Sequence, residues 1–591
     1  MMATPIASSI TISFLFCVSL FLLLCSSKNG YALGGGERKT MQSNFHTFQV
    51  NSLLPASVCS PSTKDLSIFK SVSIGGGEHR STSSSSSSPY SRSLSSSSSS
   101  SPSSRSGTIG GEGAHLRRIY LMLWMQQMMV VMKMAEKEFH SERQWCRWRA
   151  MMQPMKRRVI NKTKGTSSVS LKVVHNYGPC SHHLRPERAS APPTVTEILT
   201  RDQSRVNSIQ SRLRQNSLEK DSSSSKSKAT TTIPAKSGLS IGSSNYIVTV
   251  GLGTPKKHLS LIFDTGSSFT WIQCQPCTVF CYKQKQPIFD PSRSTTYKNI
   301  TCTSRHCSQL SSATSTTPRC STNTCVYGVR YGDNSISQGF FASETLTLTP
   351  YDVFPKYLFG CGEKNQGLWN GVAGLIGLGR DRLSIVSQVS SKYGNYFSYC
   401  LPSTPSCTGY LTFGTGGRSF TGSSLRFTPL LSKSKGPSFY YVDIIGIKVA
   451  GKTLSISRSV FKKSGSIIDS GTVITRLPPA AYDALKTAFR QHMTQYRMAK
   501  PFSIFDTCYR VKKNTTLKIP SISFVFGGNT EVVIDSSGIL FATSSKKACL
   551  AFAGNSNSSD MGIFGNAQQK TLDVVYDVAG GKLGFGYRGC S

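Results

Sequence analysis

The feature that most restricts the fold of this chain is a short pattern that occurs twice. Leu261-Ile-Phe-Asp264-Thr-Gly-Ser267 is an apolar run ending in an acid, a hydroxyl residue and a glycine, and Ser466-Ile-Ile-Asp469-Ser-Gly-Thr472 repeats it 205 positions later. Each copy has a distant companion in which apolar residues close on glycine, Gly374-Leu-Ile-Gly-Leu-Gly379 and Gly562-Ile-Phe-Gly-Asn566. The separation suits one lobe, so two similar lobes facing each other would bring Asp264 and Asp469 together. Gly266 and Gly471 let the backbone turn tightly and approach another chain closely. A single Asp-Thr-Gly is common in loops, where the Asp caps local amides. Two copies with the same flanking segments form a far narrower pattern.

Such an arrangement has a definite chemistry. Two carboxylates roughly 3 Å apart cannot both ionise cheaply and share one proton. The ionised member takes a proton from water, the protonated member hydrogen-bonds a carbonyl oxygen, and the resulting diol collapses with a proton passing to the leaving amine. No metal, covalent intermediate or cofactor is required. Thr265, Gly266, Ser267, Ser470, Gly471 and Thr472 are the expected supports of the pair, with the hydroxyls of Ser267 and Thr472 donating to the carboxylates.

The surrounding chain reads as β-rich. Tyr246–Val250, Leu259–Phe263, Tyr410–Phe413 and Tyr440–Ile445 have strand texture, broken by Gly, Pro and Asn turns, and Pro478–Tyr496 is the one segment after residue 237 with clear helical spacing. The fold class expected is all-β and bilobal, with an N-terminal lobe at 237–435, a C-terminal lobe at 436–591 and a cleft between them. Residues 1–32 read as a signal peptide, since Phe14–Leu24 is apolar but short for a bilayer and Gly30-Tyr-Ala32 offers small residues for cleavage. A retained anchor or a plastid-transit role is the alternative. Residues 33–236 read as a propeptide region. Within it, 65–165 holds a Ser tract and a Met-rich basic segment, and is expected to be a low-complexity, disordered insert. Ser168–Val174 reads as a strand. Thr194–Arg214 reads as a helix carrying Val195, Ile198, Leu199, Val206, Ile209 and Leu213, followed by a Ser/Lys/Thr linker suited to proteolytic release.

Of 18 cysteines, 13 lie between Cys274 and Cys590, a density that points to disulfides and an oxidising compartment and leaves at least one of the 13 unpaired or bonded elsewhere. Cys274, Cys277 and Cys281 have no matching second cluster, so disulfides are preferred there to a metal. Asn299, Asn514 and Asn557 stand in glycosylation sequons. From residue 237 onward there are 37 basic against 16 acidic residues, within a net charge of +40. That excess admits attraction to nucleic acid, although no basic run with interleaved aromatics supports it.

Residues 245–591 resemble the pepsin-like aspartic proteases, in particular the plant nepenthesin-type group, which includes proteins similar to chloroplast nucleoid DNA-binding aspartyl proteases. The resemblance is carried by both Asp motifs and by Gln273-Cys274-Gln-Pro-Cys277-Thr-Val-Phe-Cys281, Phe359-Gly-Cys361-Gly, Phe397-Ser-Tyr-Cys400-Leu-Pro and Ile468-Asp-Ser-Gly-Thr-Val-Ile-Thr-Arg-Leu-Pro-Pro479. It also extends to the prosegment phrase Leu171-Lys-Val-Val-His-Asn-Tyr-Gly-Pro-Cys180. The resemblance implies an endopeptidase made as a zymogen, with Asp264 and Asp469 catalytic and a flap at Tyr331-Gly332-Asp333 supported by Trp271. It also implies that Cys407 is the extra cysteine. Polypeptide substrates and the chain's own propeptide are the partners implied, with a monomeric mature form lacking a membrane anchor. The expected location is the apoplast or vacuole, with the plastid as the alternative. Two rivals stand beside this reading: a plastid nucleoid DNA-associated protease, and a non-catalytic inhibitor-like relative, which such proteins become after losing one Asp motif. This chain keeps both.

Overall fold

Strands buried on both faces read as unbroken apolar runs rather than as alternating ones, and such runs carry this molecule. The computed structural model describes residues 44–50, 168–178, 180–181, 193–221, 246–331, 335–367, 369, 371–415, 425–432, 439–587 and 589–590. The signal-like segment and the 65–165 insert lie outside these residues.

The elements that position the cleft are β1 (Val169–His175), α1 (Val195–Asp221), β2 (Tyr246–Leu252), β3 (Lys257–Asp264), β4 (Trp271–Gln273), β5 (Gly374–Gly377), β6 (Tyr396–Cys400), β7 (Thr408–Phe413), β8 (Ser466–Ile468), β9 (Thr475–Leu477), β10 (Gly562–Phe564) and β11 (Asp573–Asp577). In the first lobe β3 runs parallel to β5, with Asp264 opposite Gly377, and β5 is antiparallel to β4. In the second lobe β8 runs parallel to β10 and β9 is antiparallel to β10. The repeat seen in the sequence is therefore a repeat of topology, and the distant companion of each Asp motif is the strand laid beside it.

A 15-stranded sheet joins the halves. Its path passes from β11 through β6 and β7 to β1, and on to β2 and β3. Where it crosses between lobes the rings of Phe397 and Tyr576 stack at 4.4 Å and Tyr440 meets Tyr576 edge-on at 4.5 Å. The fold is all-β and bilobal as expected, with some differences of detail. The segment at Tyr440–Ile445 is two strands, Tyr440–Val442 and Ile444–Val449, and the predicted helix at 478–496 is Pro479–Gln491. Arg305–Thr314 and Arg458–Ser464 are also helical, the first with an N-cap on Ser304.

Six disulfides join described residues to each other: Cys274–Cys361, Cys277–Cys281, Cys302–Cys320, Cys307–Cys325, Cys400–Cys590 and Cys508–Cys549. Twelve of the 13 cysteines from Cys274 to Cys590 are thereby joined, and the remaining one, Cys407, is a buried thiol that accepts a hydrogen bond from Thr404. Among the described residues no helix is long and apolar enough to cross a membrane.

Candidate active site

Asp264 ends β3 and Asp469 follows β8, and both are fully buried. The strands deliver them to the same point. Thr265 N–H donates to Ser470 Oγ at 3.1 Å and Ser470 N–H donates to Thr265 Oγ1 at 2.9 Å, a reciprocal clasp between the two motifs. Gly266 N–H donates to Asp264 Oδ1 and Gly471 N–H to Asp469 Oδ1, each at 3.0 Å. A Cβ on Gly266 would lie 2.7 Å from Asp469 Oδ1, and one on Gly471 would lie 2.5 Å from Asp264 Oδ1. Glycine leaves room at both places for the other motif's carboxylate and for the guanidinium of Arg205, whose Nη2 would be nearer still, at 2.5 and 2.2 Å.

Thr472 donates its hydroxyl to Asp469 Oδ2 at 2.5 Å, as the sequence suggested. Ser267 does not act in the same way on Asp264: its Oγ is buried without a hydrogen-bond partner. The pair is instead served by a side chain that sequence reasoning missed. Arg205, from α1, enters between the carboxylates. Its Nη2 lies 2.7 Å from Asp264 Oδ1 and 2.9 Å from Asp469 Oδ1, and its Nε donates to Asp469 Oδ2 at 2.9 Å. One nitrogen touches both acids, so the repeat's two carboxylates face the same point. The Arg205 fork, not Ser267, serves the Asp264 oxygens.

Electrostatics follow from that insertion. Burial pushes the Asp469 carboxyl up, but the Arg205 charge and the hydrogen bonds from Arg205, Thr472 and Gly471 outweigh it and hold the group below the ordinary carboxylate range. Burial likewise opposes the charge on Arg205, and the two carboxylates overcome it, holding the guanidinium above its usual value. Arg205 thus favours the ionised form of Asp469. That form has no proton to give a carbonyl oxygen.

Helix α1 is held by more than this contact. Its start is a capping box, with Thr194 N–H donating to Glu197 Oε2 at 2.6 Å and Glu197 N–H donating to Thr194 Oγ1 at 3.2 Å. Val206, Ile209 and Leu213 are buried against Phe439, Tyr441, Ile467 and Ile563 of the second lobe. Gln210 donates to the Met561 carbonyl and accepts from Met561 N–H, both at 2.8 Å. The helix runs on to Asp221, through the start of the segment read as a linker. A signal for Arg205 existed in the sequence: Asp202 and Arg205 fall at three-residue steps from Leu199, on the apolar stripe itself, where a solvated helix would not put charge.

Trp271 is buried on β4, and its Nε1–H donates to the Tyr331 hydroxyl at 2.8 Å. Tyr331 also meets Trp369 edge-on at 5.1 Å and follows the strand Thr324–Arg330. Gly332 and Asp333, the rest of the flap motif, lie outside the described residues.

The family models described as Xylanase inhibitor N-terminal and Xylanase inhibitor C-terminal match residues 246–415 and 439–587. An aspartyl protease family protein of Arabidopsis thaliana is 52% identical over 433 residues, a match spanning 73% of this chain and 90% of that protein. The Arabidopsis aspartyl protease AED1 is 49% identical over 431 residues, spanning 73% and 88%. Aspartic proteinase nepenthesin-2 of Nepenthes gracilis is 37% identical over 345 residues, spanning 57% and 76%.

Proposed function

The chain belongs to the aspartyl protease family and is an aspartic endopeptidase, and from that premise we propose that Asp264 and Asp469 are its catalytic pair and that α1 is part of a prosegment that holds it shut. The observation that carries this reading is the contact of a single Arg205 nitrogen with both carboxylates, at 2.7 and 2.9 Å. A salt bridge of this kind excludes substrate and denies the pair its shared proton at the same time.

Once α1 leaves, the two acids lose their common cation. One takes up a proton, because two close carboxylates in a buried site resist double ionisation. The ionised member then accepts a proton from water as the water oxygen attacks the scissile carbonyl carbon. The protonated member donates to the carbonyl oxygen. Collapse of the diol breaks the C–N bond, with a proton passing to the amine. Ser267, whose hydroxyl is unpartnered while α1 is docked, then donates to Asp264 as Thr472 does to Asp469. Tyr331, anchored by Trp271, covers the bound peptide and keeps water from the reacting bond.

The supporting residues are Thr265, Gly266, Ser470 and Gly471, which fix the two acids relative to each other, with Gly332 and Asp333 completing the flap. The N-terminal and C-terminal lobes extend over 237–435 and 436–591, and maturation cuts between α1 and β2. The six disulfides fit a secreted or vacuolar protein. We place the chain in the secretory route, where Asn299, Asn514 and Asn557, all exposed, become glycosylated.

The test is incubation of the purified full chain at pH 3–5. New N-termini between residues 221 and 246, together with proteolysis that pepstatin blocks, are expected. Asp264→Ala and Asp469→Ala should each abolish both; normal turnover by the two variants would overturn the assignment.

A further inference from the structure

Helix α1 makes a second polar contact with the cleft, independent of the catalytic pair. One turn before Arg205, the fully buried Asp202 accepts the Val473 N–H at 2.6 Å and the Ile474 N–H at 3.2 Å, and pairs with Arg476 Nη2 at 3.0 Å. Arg476 is only 1% exposed, and its Nε and Nη1 have no hydrogen-bond partner. It sits on β9, which follows directly from the Asp469 motif. Arg476 also borders a cavity of about 300 Å³ whose other walls include Gly554, Asn555 and the α1 residues Gln203 and Val206. Asp560 lines the same cavity, but it is bonded by Arg214 and lies 3.3 Å from the Asn557 N–H, and it leaves those two Arg476 donors unmet.

A buried guanidinium is stable only when an anion satisfies it. Here the anion arrives on the segment that departs at maturation. What stays behind is a cation and two backbone N–H groups, directed at the volume an Asp carboxylate had filled one turn along α1 from the Arg205 contact with the acids. This is a built anion site that, with α1 docked, no carboxylate of the two lobes fills.

We propose that Arg476, with the N–H groups of Val473 and Ile474, forms a specificity pocket for an aspartate or glutamate side chain of the substrate, and that Asp202 is the prosegment's imitation of that side chain. The proposal rests on reading α1 as a prosegment. Three helical positions separate Asp202 from Arg205, a rise of about 4.5 Å, and an extended peptide covers that span within two residues. The acidic residue therefore belongs about two positions from the scissile bond. Asp202 fits with a single methylene, so aspartate is favoured over glutamate. A polar pocket that binds a charged group rejects the neutral isostere strongly, because its buried donors are then left unpaired.

The test uses a set of peptides alike except for Asp, Asn or Ala two residues to either side of the scissile bond. They are assayed at pH 5, where an exposed aspartate is mostly ionised, with whichever form of the enzyme cleaves after acid treatment of the full chain. On one side of the bond, Asp should exceed Asn in kcat/KM by roughly 10- to 100-fold. Arg476→Gln should bring that ratio to about 1 and Arg476→Lys should keep part of it. A ratio near 1 in the unmodified enzyme overturns the pocket, whether or not the variants fold. The prosegment reading has its own readout, the rate at which full-length Arg205→Gln and Asp202→Asn convert at pH 5. If neither converts faster than the parent while the Asp preference stands, the prosegment reading fails and the pocket survives. If both convert faster but the preference is absent or unmoved by Arg476→Gln, the pocket fails and the prosegment reading survives.

Discussion

At the scale of single residues, the site is a contest over who bonds to two carboxylates. Thr472 donates to Asp469 in the structure described, and its hydroxyl does not depend on Arg205. A hydrogen bond to the ionised form lowers a carboxyl pKa. Thr472→Val should therefore raise the Asp469 pKa in the mature enzyme and move the acid limb of the kcat/KM profile to higher pH. It should also lower kcat about tenfold, the equivalent of one lost charge-assisted hydrogen bond of about 1.4 kcal/mol. An acid limb that stays in place would show that Thr472 does not tune the pair. A second residue bears on opening. His175 on β1 packs edge-on against Tyr246 at 5.6 Å, its Nδ1 lies 3.3 Å from the Tyr177 N–H, and burial, with Lys570 adding to it, lowers its pKa to about 3. Its folded-state pKa is thus below the free value of about 6.5. Between those two values the undocked strand binds more protons than the docked one, so docking weakens as pH falls through that window, by up to roughly 1.4 kcal/mol per pH unit. The Asp469–Arg205 pairing has the same sign: its contribution is present above the ordinary carboxylate pKa and is lost as pH drops below the depressed one. His175→Phe should accordingly shift full-chain conversion to lower pH, read from conversion rates between pH 6.5 and 3.

At the scale of elements, α1 binds as an amphipathic helix whose apolar stripe is seated on the second lobe. Ile209 is completely buried there. Ile209→Ala should weaken docking by about 2–5 kcal/mol, the usual range for a large-to-small change in a packed core, and acid conversion should accelerate accordingly. Thr200→Ala, at an exposed position of the helix, should leave the rate within about twofold. The same helix shows how much the sequence disclosed. Periodicity alone located α1 to within a residue at its start, and apolar runs located β2, β3 and β7. The two Asp motifs could be paired because each needs its own apolar strand and companion, a local requirement written in consecutive residues. Arg205, Asp202 and Arg476 were not found, because their meaning lies in contacts across 264, 271 and 274 positions. No local pattern encodes those distances. The unfilled Ser267 hydroxyl was likewise illegible, since the donors that Asp264 meets on Arg205 come from 59 positions away.

At the scale of the whole molecule, the prosegment is built into the architecture as well as into the cleft. β1 is not an edge strand. It pairs along six residues with β7, from Val169–Phe413 to Val174–Thr408, and along two with β2. All six residues of β7 are buried, so removing β1 exposes a continuous row of backbone donors and acceptors flanked by apolar side chains. Such an edge templates pairing with other chains, and it lies in the middle of the sheet that unites the lobes. Folding should therefore need β1 even though catalysis needs α1 gone. A chain beginning at residue 237 should refold with at least a tenfold lower soluble yield than one beginning at residue 168, an effect of the size expected when an apolar edge competes between folding and aggregation. Adding residues 168–221 in trans should restore much of the loss, because the strand can still enter from solution. Equal yields and equal activity without those residues would mean that the two lobes close on each other without help, and that β1 fills a place the mature chain can cover for itself.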